Sequence, residues 1–73
     1  MPMMRLMGIQ RDGKAVWIER FGHTQGIITT DHPECAYVFR SLHDVQIVME
    51  EAQSSGRLRN LAIQMITPQP VSY

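Results

Sequence analysis

The residues with chemistry of their own are few, and the densest group is His32-Pro33-Glu34-Cys35. A histidine and a cysteine three apart in a turn are zinc-ligand types, but zinc needs three or four donors converging on one point. The remaining histidines, His23 and His43, do not cluster with that pair. Each reads as a turn or helix-start residue, where polar side chains are ordinary. No metal site is expected. Cys35 with a histidine base is the other arrangement to weigh, as an activated nucleophile. A small cysteine before Ala36 reads instead as a half-buried core filler. A single-sheet chain of this length also offers little concavity for a substrate. No catalytic residue and no cofactor are expected, and the chain reads as non-enzymatic.

Length and charge narrow the classes further. The 73 residues make a single small domain, with 1–4 and 68–73 expected as loose tails. A chain this short buries about 60–65 % of its unfolded surface, so its core supplies only a few kcal/mol. Cys35 is the only cysteine, so no intramolecular disulfide can supplement it. A partner surface or a homodimer is the expected supplement. Seven basic side chains balance seven acidic ones. A nucleic-acid binder gains most of its affinity from excess Lys and Arg, so that class is disfavoured. The N-terminus lacks a signal-peptide pattern, and no apolar run approaches the roughly 20 residues that span a bilayer. The expected compartment is the cytoplasm, with no membrane partner. Met1, Met3 and Met4 are all candidate start positions.

The elements that must position any functional side chain begin with a hairpin. Arg5 to Gln10 and Ala15 to Phe21 flank Asp12-Gly13, the favoured pair for a two-residue turn because both positions need positive φ. That turn sets Ile9 opposite Val16, Gly8 opposite Trp17 and Met7 opposite Ile18. The core face would then hold Ile9, Val16, Met7 and Ile18. The other face would hold Trp17 over Gly8, Leu6 beside Glu19, and Met4 beside Phe21. Gly22 to Gly26 reads as a turn, and β-branched Ile27 to Thr30 as a third strand.

Asp31 caps an expected turn over Pro33 to Ala36, completed by Glu34. Tyr37-Val38-Phe39 reads as a short extended bridge. Ser41-Leu42-His43-Asp44 is a capping box opening a helix that ends at Gly56. Leu42, Val45, Val48, Met49 and Ala52 form its apolar stripe, and Ile47 projects from the opposite side. Leu61 to Ile66 is the last strand, stopped before Pro68. The expected fold is α+β: an antiparallel sheet of three or four strands in β-β-β-α-β order, with one main helix on one face.

The run through Gly26, Ile27, Thr29, Asp31, Pro33, Ala36, Phe39, Ser41 and Ala52 resembles a pattern in small uncharacterised proteins of bacteriophages and prophages. It covers about a third of the chain, and its positions are caps and core residues. His32 separates Asp31 from Pro33, which the looser pattern has adjacent. The resemblance implies this fold and a phage-type setting, and it carries no functional residue across.

One helix covers one face of such a sheet, so the uncovered face is the expected binding surface. Trp17 is its expected anchor, since tryptophan is enriched at binding hot spots. Phe21, Leu6 and Glu19 surround it, and Ile47 on the outer helix face is a second point. Trp17 packing locally over Gly8 is the competing account. The expected function is binding and inhibiting or modulating a host protein by steric blocking, of which anti-CRISPR inhibition is one form. Arg5 and Arg40 aside, Arg11, Lys14, Arg57 and Arg59 are the possible nucleic-acid contacts. A nucleic-acid-associated role and a homodimeric assembly component are the alternatives.

Overall fold

The computed structural model of the chain describes residues 3–22, 24 and 26–66. Strand β1 is Met3–Ile9, β2 is Ala15–Gly22, β3 is Gly26–Thr30 and β4 is Arg59–Ile66. Helix α1 is Leu42–Ser55, and a short 3-10 turn spans Pro33–Cys35. The strands form one antiparallel sheet in the order β3-β2-β1-β4. The fold is the expected α+β architecture. Met3 and Met4, expected in a loose tail, belong to β1, and Met4 is buried. The tail expectations for 1–2 and 68–73, and any role for His23, lie outside the described residues.

The hairpin register differs from the expected one by a single residue. Met7 lies opposite Trp17, Gly8 opposite Val16 and Ile9 opposite Ala15. Gln10 donates its N–H to the Lys14 carbonyl at 2.9 Å, closing a three-residue loop of Arg11, Asp12 and Gly13. Gly13 takes φ +88°, whereas Asp12 does not enter the left-handed region that a two-residue turn of this kind demands. The loop is therefore a turn followed by a left-handed glycine. A slip of one residue sends every β1 side chain to the opposite face. Met4, Leu6 and Gly8 face the helix, while Met7 and Ile9 do not, which reverses the expectation for β1. The assignment for β2 stands, with Val16 and Ile18 buried and Trp17 on the other side.

An irregularity in the β2–β3 register between Ile18 and Arg20 shifts the faces again. Phe21 consequently lies on the helix side and not beside Trp17. Its ring stacks on Phe39 with centroids 5.6 Å apart, and Tyr37 meets both rings edge-on. The Tyr37–Phe39 segment is the extended bridge the sequence suggests. Phe39 pairs with Met4 through two backbone hydrogen bonds, and Tyr37 donates its N–H to the Ile18 carbonyl. The segment is thus bonded to both central strands, and it delivers the chain to the start of α1.

Helix α1 has the expected bounds. Val45, Val48 and Ala52 are buried, and the helix packs chiefly on β1 and β4. Leu42 departs from the expected stripe, since burial begins one turn in, at Val45, and Leu42 stays 54 % exposed. Ser41 stands at the N-cap, but its hydroxyl makes no capping bond; its carbonyl accepts the Val45 N–H instead. Gly56 closes the helix at φ +71°. Leu58, just beyond, drops into the core with Met4, Leu6, Val16, Ile18 and Phe39. No helix among the described residues is long and apolar enough to cross a membrane.

Candidate functional site

The open sheet face is organised by hydrogen bonds that bracket Trp17. Its neighbour across β1 is Met7, and its neighbour across β3 is Thr30, so it shields Met7 and not Gly8. The indole Nε1 donates to Gln64 Oε1 on β4 at 3.0 Å. Arg5 Nε donates to the same oxygen at 2.9 Å, and Gln64 Nε2 reaches Met7 Sδ at 3.5 Å. The Arg5 guanidinium carbon lies 5.8 Å from the indole centroid, within cation–π range. Arg5 Nη1 also donates to the Pro33 carbonyl, tying the 3-10 turn to this face. The ring is half-buried and held by partners from two strands, Gln64 on β4 and Arg5 on β1. Gln64 and Arg5 were not among the expected site residues here. With the observed register, Arg5 and Gln64 are directly opposite, and Gln64 is the one polar side chain within the otherwise apolar run 61–66.

The expected partner-binding residues do not form one surface. Glu19 is half-buried on β2, with its carboxylate 3.9 Å from Arg20. Leu6 is fully buried beneath the helix and cannot meet a partner. Phe21 and Ile47 come together on the helix side. They border a hollow of about 470 Å³ with Tyr37, Val38 and Arg40. Tyr37 and Ile47 are each 46 % exposed. Tyr37 and Val38, which were expected only as a structural bridge, thus gather with Ile47 into an exposed apolar patch. The sequence signal for it was the aromatic-aliphatic run 37–39, read there for backbone shape alone.

The arginines also divide. Arg5 belongs to the Trp17 cluster and Arg40 to the aromatic hollow. Lys14 is drawn away by Asp31, with Nζ 3.1 Å from Oδ2. Arg11, Arg57 and Arg59 converge where the hairpin tip meets the junction of α1 and β4.

The turn that first draws attention holds no converging ligand set. His32 Nε2 is 3.3 Å from Asp31 Oδ1, and its Nδ1 is 3.6 Å from Glu34 Oε1. Cys35 is exposed, which corrects its expected role as a core filler. Among the described residues no three His, Cys, Asp or Glu side chains are grouped to hold a metal ion. Asp31 does not cap the 3-10 turn, where His32 takes that position without a side-chain bond. Its carboxyl is instead held below the ordinary range by the hydrogen bond from Lys14, then by the charges of Lys14 and His32.

Comparison with protein-family models, with curated proteins and with solved structures finds no match to this chain. Its function must be read from its own surfaces.

Proposed function

We propose that this chain is a non-enzymatic protein-binding protein that inhibits or modulates its partner by steric blocking. The observation that carries this reading is the gathering of Tyr37, Val38 and Ile47, all substantially exposed, with Phe21 around one hollow. Exposed apolar side chains in a contiguous patch mark partner sites, and aromatic anchors supply most of the binding energy there. Arg40 and Asp44 at the rim of the same hollow provide the polar border such interfaces use. The open sheet face is the second reading, favoured by a half-exposed Trp17 ring whose orientation is already fixed.

The phage- or prophage-type setting, with anti-CRISPR inhibition as one form of it, is part of the proposal. It rests on the likeness of the Gly26–Ala52 run. The experiment is capture from bacterial lysate by the immobilised chain, with Ile47→Asp and Trp17→Ala as paired variants. Ile47 is exposed, so the charge enters without disturbing the core. Capture lost with Ile47→Asp and kept with Trp17→Ala supports the aromatic hollow; the reverse pattern assigns the open face. Capture unchanged by both overturns the proposed surfaces.

A further inference from the structure

Arg11 and Arg57, far apart in sequence, line the same two adjoining hollows. The larger is about 480 Å³, and the smaller, about 130 Å³, is also bordered by Arg59. All three side chains are exposed, and none makes an ion pair among the described residues. The chain's formal charge is zero, so three cations at one corner are a local concentration. The nearby acids are Asp12, Glu50 and Glu51, and none pairs with these arginines among the described residues. Asp12 accepts the Lys14 N–H within the turn. Glu50 and Glu51 border the next hollow along α1, which Arg57 also lines. The C-terminal end of α1 contributes only about half a negative charge.

The geometry points to an oxyanion site that takes a phosphate monoester with an apolar body. Guanidinium groups grip tetrahedral oxyanions through paired N–H donors, and a dianion offsets the mutual repulsion of three cations better than a single carboxylate charge does. Gln10 and Thr29 add polar walls to the larger hollow, while Ile27 and Leu58 give it an apolar floor. Its volume lies within the roughly 300–1,000 Å³ of small-molecule sites. A nucleic-acid strand fits less well, because it needs an extended basic surface and the net charge here is zero. The site stands apart from the aromatic hollow and does not depend on it.

The test is an amide-shift NMR titration of the full chain with phenyl phosphate, inorganic phosphate, benzoate and a short single-stranded oligonucleotide. Phenyl phosphate is expected to give saturable shifts at the Arg11, Gly56 and Arg57 amides, with inorganic phosphate weaker at the same positions. Arg11→Gln and Arg57→Gln should each weaken phenyl phosphate about tenfold or more, with the rest of the spectrum unchanged. Absence of saturation, equal binding of benzoate, or undiminished binding by Arg57→Gln overturns the site. Tighter binding of the oligonucleotide than of phenyl phosphate overturns the small-ligand assignment in favour of a strand.

Discussion

The indole Nε1 of Trp17 donates to Oε1 of Gln64 at 3.0 Å, so β2 is tied to β4 across the strand between them. The same oxygen takes the Arg5 Nε–H, which makes Gln64 the acceptor on which two side chains depend. Removing it strands two donors in a half-buried setting. Gln64→Leu is expected to destabilise the fold by about 1–3 kcal/mol, measured by urea unfolding. Trp17→Phe keeps most of the ring and loses the same bond. A double-mutant cycle between the two should therefore show coupling, and strict additivity would mean the bond contributes nothing.

The hairpin register predicts opposite sensitivities for neighbouring strand positions. Leu6→Ala should cost about 2–5 kcal/mol, because Leu6 is fully buried among core side chains. Ile9→Ala, on the half-buried open face, should cost clearly less. A two-residue turn at Asp12-Gly13 would reverse that order, so chemical denaturation of the two variants decides the register.

Gly8 sits where two leucines close over the backbone. A Cβ built there lies 2.9 Å from Leu61 Cδ2 and 3.2 Å from both Leu58 Cβ and Leu58 Cδ1. The Leu61 methyl can turn aside, but the Leu58 Cβ is fixed to the main chain. Gly8→Ala is expected to destabilise by about 1–3 kcal/mol through overpacking. Adding Leu61→Ala should not restore stability. Gly22→Ala, where a Cβ meets nothing within 4 Å, serves as the control in the same thermal melts.

Asp31 is a carboxyl whose titration the fold perturbs. Its folded pKa is depressed, chiefly by the hydrogen bond from Lys14. A depressed acid stabilises the fold above its unfolded pKa, and that contribution is lost as pH falls through the lower, folded value. A carboxyl NMR titration should find Asp31 below the ordinary range, and Lys14→Met should return it toward that range. The stability change will be small, because the pair is exposed to solvent.

Local signals are legible in the sequence at positions where one residue type strongly favours one conformation. Gly56 ends α1 because the left-handed position there favours glycine, and β-branched Ile27 to Thr30 form a strand. The β1 faces are not legible in the sequence, because Asp12-Gly13 serves two hairpin loops. Both use a left-handed glycine; they differ in the number of loop residues and in whether Asp12 is left-handed as well. The three-residue loop prevails because it buries Met4 and Leu6 and lets Leu58 and Leu61 close over Gly8. The side Phe21 takes is not legible for a related reason: an irregularity within β2 leaves no mark in the periodicity.

The sequence by itself determined the order of the elements, the extent of α1 and, of its expected apolar stripe, the buried Val45, Val48 and Ala52 but not Leu42. These follow from short-range propensities and from the Gly56 C-cap, which neighbouring residues settle among themselves. Only the tertiary structure decided which residues share a surface. It took Leu6 into the core, joined Phe21 to Tyr37 and Ile47, bound Trp17 to Gln64, and separated Lys14 from Arg11, Arg57 and Arg59. Each of those outcomes turns on strand register and on contacts between distant segments, where a shift of one residue exchanges the two faces of a sheet.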